Sequence, residues 1–236
     1  MIKNYKNFPG MITFATGILL GTLLFGGLAW ADLEAVFYGL THLTNTPLNG
    51  LVCPPLMTRS EVTHLTVTAH NDHDLPIAPV VRVEISTPGL RFTDQVQVKL
   101  APGQSQSLVW PLSANNIDLN FFVFAKAYRF PDYQTPLAED TCGILVINAP
   151  GLSGQVLLAL WLGLSLIFTL LGLWLLQPRV EFPGPRISMS SARRALAIAM
   201  FTGIIFGVQG AWLPGVLALV AVILLTCIII LFSVLQ

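Results

Sequence analysis

The sequence predicts a membrane protein with four transmembrane helices and an exported all-β sandwich inserted between helices 1 and 2. Three observations carry this. Four apolar runs, 11–31, 152–176, 195–213 and 215–235, contain no charged residue, and each is near the ~20 residues needed to cross a hydrocarbon core. Positive charge is sorted between the segments that flank them. Lys3, Lys6, Arg179, Arg186, Arg193 and Arg194 lie in two short flanking segments, whereas residues 32–151 hold six bases and eleven of the twelve acids, a net of −5. Finally, that long segment reads as short alternating strands between turn clusters.

Positive charge beside a span stays on the cytoplasmic side. The expected topology is therefore a multi-pass protein of the cytoplasmic (inner) membrane with both termini cytoplasmic and residues 44–150 outside. The expected divisions are 1–43, the N-terminal tip and helix 1 with an extension; 44–150, the sandwich; 151–177, helix 2; 178–194, a basic loop; and 195–236, a helical hairpin. A hydrophobic content of 54% with only 10% charge excludes an ordinary soluble domain, and the mildly acidic exterior does not support nucleic-acid binding.

In the first run, Gly17 and Gly21 have the small-residue spacing that lets another helix approach closely. Lys3, Lys6 and the Ala29-Trp30-Ala31 tripeptide also fit the outline of a secretory signal, but the run is long for one, so a retained anchor is expected. Leu33, Val36, Phe37 and Leu40 continue a helical stripe past Asp32 and Glu34, so the helix is expected to run on beyond the membrane.

Residues 44–55, rich in Asn, Pro and Gly, read as a loop. Strands follow at 62–70, 80–85, 90–92, 96–100, 107–112, 119–130 and 141–147, a two-sheet antiparallel pattern. In the first, Leu65, Val67 and Ala69 share one face, and His64, Thr66, Thr68 and His70 the other. Cys53 and Cys142 bracket the domain, and an oxidising exterior permits a disulfide between them. Cys227 reads as a packing residue of the last run. On the strand at 119–130, Phe122, Phe124, Tyr128 and Phe130 form a second apolar set, facing the membrane surface, the long first helix, another protein, or a cover within the chain.

The run TVTAHNDHDLPIAPVVRVEIS at 66–86, followed by VKLAPGQSQSLVWPL at 98–112, resembles bacterial immunoglobulin-like domains of the cell-adhesion-related (CARDB) kind. The resemblance covers the sandwich only. It implies an immunoglobulin-like fold acting as a spacer, an adhesive module or an assembly surface, and it implies no catalytic residues.

His70 and His73, with Asp72 and Asp74 in the same turn, are the one pair suited to zinc or copper. An Asn-Asp turn with exposed histidines explains the same residues. Glu139 and Asp140 are neighbours on a strand and point to opposite sides, so they cannot act as an acid/base pair and read as a solvated strand entry. No nucleotide-binding, metalloprotease or haem motif is present, and no ionisable residue within a run marks an ion pathway. In the hairpin, Gly203 and Gly207 repeat the small-residue spacing, and residues 212–215 read as its turn.

The expected function is that of a non-enzymatic accessory or scaffold subunit. Its expected partners are other membrane-protein subunits and the lipid bilayer, with no nucleic acid, small-molecule substrate or cofactor. The alternatives are a metal-handling or sensing module and a surface-adhesion protein.

Overall fold

The computed structural model describes residues 8–38, 43–44, 46–132, 135–176 and 189–234. Lys3, Lys6, Tyr133, Arg179 and Arg186, and most of the predicted basic loop, lie outside the described residues. The chain divides into two compact units, Trp30–Val156 and a second made of Met1–Ala29 with Leu157–Gln236.

The element order is α1 (Phe8–Tyr38), eight strands, then α2 (Gly154–Leu175), α3 (Met189–Val208) and α4 (Trp212–Val234). All four helices are long and apolar enough to cross a membrane. Helix α1 is one uninterrupted element of 31 residues, so the apolar stripe past Asp32 does continue the helix through Leu33, Val36 and Phe37; Leu40 lies outside the described residues.

The hairpin is shifted from its expected position. Helix α3 starts six residues earlier than the apolar run, because Ser, Ala and Arg tolerate or favour the helical backbone and Arg193 and Arg194 sit within its first turns. It ends at Val208, and Gly210, with a φ of 72°, is the left-handed residue that closes it. The Ala211 N–H reaches the Phe206 carbonyl at 2.9 Å and the Gly210 N–H reaches the Gly207 carbonyl at 3.3 Å, which caps the last turn. Residues 212–215 belong to α4. Pro214 sits in its first turn, where the missing N–H has no helical partner to lose.

The strands are β1 (Leu51–Val52), β2 (Leu56–Thr58), β3 (Thr63–His70), β4 (Val80–Thr87), β5 (Leu90–Gln97), β6 (Ser105–Leu112), β7 (Phe122–Arg129) and β8 (Ala138–Ile147). They form a three-stranded sheet, β1-β3-β6, and a five-stranded sheet, β2-β8-β7-β4-β5. Three differences from expectation have local causes. Strand β2 pairs with β8 in parallel, so the sandwich is not purely antiparallel. Strand β5 runs unbroken through Asp94 because it pairs along its whole length with β4. Strand β7 starts at Phe122, because Leu119 and Asn120 take φ of 48° and 65° and form a turn.

The core lies between the sheets. Leu65 and Val67 of β3 face Val81 and Val83 of β4 and Val123 of β7 there, all fully buried. Burying each such side chain contributes about 1.5–3 kcal/mol relative to exposure. The β3 alternation seen in the sequence is the alternation of the sheet, with Ser105 to Leu112 of β6 paired residue for residue against it.

Cys53, just after β1, is bonded to Cys142 of β8 across 89 residues, tying the two sheets together. In the chain-entropy description a loop of this length is worth roughly 4–5 kcal/mol. The full chain with both Cys53→Ala and Cys142→Ala is therefore expected to lose stability on that scale, measured by denaturant unfolding in detergent. A loss below ~1 kcal/mol sinks this account.

Candidate functional site

The five-stranded sheet has a second face, and the chain builds a site on it. Along β7 the inward residues are Val123, Ala125 and Ala127, which are small enough to fit the core. The outward residues are Phe122, Phe124, Lys126 and Tyr128, all buried. The last part of α1 covers Phe122 and Phe124. Ala31 and Ala35, one turn apart, pack on Phe122 and Phe124. The Trp30 ring lies 6.5 Å from that of Phe122, and Tyr38 lies 4.9 Å from Phe124. Phe122 and Phe124 are thus contacts within this chain and not an open surface. Tyr128 is buried and stacks on Phe130 at 6.2 Å.

The approach of helix to sheet is set at Gly143 of β8. A Cβ there would overlap the carbonyl of Ala31, so only glycine allows the two backbones to meet. Directly beside it, the Gly143 N–H donates to the Asp32 carboxylate at 3.0 Å. Asp32 is 6% exposed, and this bond supplies the partner that a buried carboxylate needs.

Beside the aromatic patch lies a charged one. Lys126 is 2% exposed. Its Nζ is 3.6 Å from Glu139 and 5.1 Å from the Tyr128 ring centroid. Glu139 also accepts from the Leu43 N–H at 2.9 Å. Glu139 is therefore a buried ion-pair partner, not a solvated strand entry. The register explains it: Tyr128 stands opposite Glu139, which brings Lys126 alongside diagonally. Further along the face, Glu84 takes Arg82 at 2.9 Å and Arg91 at 3.5 Å. Arg91 in turn donates to the Tyr38 carbonyl at 3.1 Å and covers its ring. Burial pushes the Tyr128 phenol above its ordinary pKa, and Glu84 and Glu139 push the same way.

The predicted metal pair occupies the far end of β3. His70 Nδ1 is 2.7 Å from the Ser105 hydroxyl and Nε2 is 3.0 Å from Asp72, so both ring nitrogens are engaged. The His73 N–H donates to Asn71, whose buried side chain ties the turn to the Leu75 and Leu100 carbonyls. Among the described residues, no group of three or more His, Cys, Asp and Glu is placed to hold a metal ion.

The glycine pairs lie inside the other unit. A Cβ at Gly17 would overlap the Phe168–Thr169 backbone of α2, and one at Gly21 would meet Met200 of α3 and the Ser165 hydroxyl. A Cβ at Gly203 would come within 2.9 Å of Phe25, and one at Gly207 within 3.3 Å of Leu28. The Ser165 hydroxyl donates to the Gly17 carbonyl at 2.9 Å and the Trp161 indole to that of Leu20 at 2.9 Å. Small residues thus allow close approach and polar side chains bridge it, as in helix packing within bilayers.

No protein-family model matches the chain, and no curated protein matches it. Solved structures match over less than half of the chain. One is the CARDB domain of a Pyrococcus furiosus protein in complex with di-metal ions, at 13% identity and a TM-score of 0.32, covering 42% of this chain and 91% of that one. Another is a Paenibacillus cycloisomaltooligosaccharide glucanotransferase, at 14% identity and a TM-score of 0.35, covering 44% of this chain and 14% of that one. A third is a Bacteroides uniformis beta-glucuronidase, at 13% identity and a TM-score of 0.32, covering 43% and 14%. The chain therefore spans only a small part of the enzymes it matches. A CARDB domain is among its structural neighbours, a resemblance of fold only.

Three substitutions test the site. Gly143→Ala is expected to separate α1 from β8 and destabilise the sandwich unit by at least the ~1–3 kcal/mol of an overpacked core. Lys126→Met alone leaves Glu139 buried without its cation and is expected to cost about 3–5 kcal/mol, whereas adding Glu139→Gln recovers much of that loss. Chemical unfolding measures each loss, and a double-mutant cycle isolates the coupling between 126 and 139. Additive costs at 126 and 139 contradict the pairing.

Proposed function

We propose that this chain is a non-enzymatic, four-span subunit of a larger assembly in the cytoplasmic membrane, with both termini cytoplasmic and the immunoglobulin-like sandwich on the outer surface. The observation that carries the reading is a disulfide-bonded sandwich joined directly to an apolar helix at each end. Disulfides persist outside the cytoplasm, and Arg193 and Arg194 at the start of α3 agree with a cytoplasmic position there.

The scaffold role rests on how the helices use their faces. Of the apolar windows of α1 and α3, 39% and 33% is buried within the chain, against 17% and 11% for α2 and α4. The glycine faces are therefore spent on internal packing, and α2 and α4 turn large apolar surfaces outward. Among the described residues, Asp, Glu, Lys, Arg and His occur in the helices only at Asp32, Glu34, Arg193 and Arg194, all towards helix ends. Such spans suit packing against other subunits better than conducting ions. The outer face of the five-stranded sheet is already occupied by α1, so partners meet the sandwich elsewhere.

The test is purification of the tagged full chain from native membranes in mild detergent, followed by mass spectrometry. Defined partner subunits in fixed ratio are expected. Replacing the outward Leu164 and Leu171 of α2 by Ala is expected to reduce their recovery while the disulfide and the yield of the chain stay unchanged. A chain that purifies alone, at the mass of one copy, overturns the reading.

A further inference from the structure

One end of the sandwich unit carries its own exposed apolar cluster. The turn before β7 holds Leu119 and Phe121, 58% and 60% exposed, and the β4–β5 hairpin ends at Leu90, 77% exposed. These two tips are level with one another. Ser86, at the end of β4, donates from its hydroxyl to the Asn116 carbonyl at 2.6 Å and accepts from the Phe124 N–H at 2.9 Å.

Trp30 of α1 and the residues that lead into α2 lie at this same end. The Val146 N–H donates to the Phe121 carbonyl at 2.7 Å, and β8 ends one residue later. Arg59 donates to the Asn120 carbonyl at 2.6 Å, and Thr58 donates to the Leu152 carbonyl at 2.9 Å, two residues before α2 begins. Trp30 of α1 packs on Phe122, with its indole N–H on Glu34 and much of its ring exposed. An exposed Trp of this kind suits the membrane interface, apolar over the ring and polar at the nitrogen.

The backbone makes the cluster unusual. Leu119 has a φ of 48°, a conformation that Gly or Asn adopts at lowest cost. A leucine there is strained and, in water, exposes its side chain as well. An apolar surrounding removes the second penalty.

We propose that Leu90, Leu119 and Phe121 dip into the headgroup–acyl boundary of the outer leaflet, flanked by Trp30 and Leu152. The occupant is lipid, because the cluster lies beside the exposed Trp30 of one apolar helix and beside the residues that lead into the next. The proposal rests on the four-span reading above.

The test uses the full chain in lipid nanodiscs with Cys227→Ser, and nitroxide labels on Leu119→Cys, Phe121→Cys and Leu90→Cys, one at a time. Val109→Cys on β6, 55% exposed on the other sheet, is the water reference; Leu217→Cys on the outward face of α4, 62% exposed, is the lipid reference. Power saturation then compares collisions with dissolved oxygen and with a water-soluble nickel chelate. All three labels are expected to favour oxygen severalfold relative to the label at 109. A nickel response equal to that at 109 overturns the proposal, and shielding from both reagents overturns it in favour of a protein cover. A label at 217 that itself behaves as the water reference shows that the four-span reading has failed, and the tips' result falls with it. The two tips lie on separate turns, so either reports if one label disturbs its own turn.

Discussion

The approach of α1 to β8 at Gly143 is the contact on which the outer face of the sandwich depends. A five-stranded sheet with aromatic residues on both faces has two surfaces to remove from water, and the smaller sheet covers only one. The last turns of α1 cover the other, and they come close enough only because position 143 has no side chain. Asp32 follows from the same geometry. A carboxylate brought to the face must find a donor, and the Gly143 N–H is the one within reach.

The same face also buries charge. Lys126 and Glu139 are nearly inaccessible to water, and desolvating both costs several kcal/mol per ion before their attraction is counted. Such a pair adds little net stability over an apolar replacement. It does restrict which side chain meets which: a shift of β8 against β7 by one residue turns Glu139 towards the core and leaves Lys126 alone. The pair therefore acts on register more than on stability. The Arg82–Glu84–Arg91 set extends the same logic to β4 and β5 while remaining partly solvated, where each contact is worth less.

The parts of this architecture legible in the sequence are those governed by local periodicity. The inward set Leu65, Val67, Ala69 follows from alternation alone, and the four helices follow from length and apolarity. The two cysteines were legible as a pair because residues 32–151 hold only two. Features set by tertiary context were not. Strand β2 is three residues long and exists because β8 supplies a parallel edge. Glu139 looked solvated because nothing nearby in sequence announces Lys126 as its neighbour across the ladder. Gly143 carries no local signal; its role depends on a backbone more than a hundred residues away. The α3 boundary was misplaced for another reason: apolarity marks where a membrane ends, whereas Gly210 marks where the helix ends.

The same distinction bears on Leu119. Sequence patterning treated it as the first residue of an apolar strand, and in an aqueous sandwich that is the economical place for it. The fold instead puts it on a turn, in a left-handed backbone, with its side chain outward. A site that breaks a local rule is informative when its surroundings give a reason, and here these are the exposed Trp30 ring of α1 and Leu152, two residues before α2. A single change of medium at that end of the domain accounts for the exposed tips, the interfacial tryptophan and the short connection to α2 together. Three unrelated exposed side chains do not.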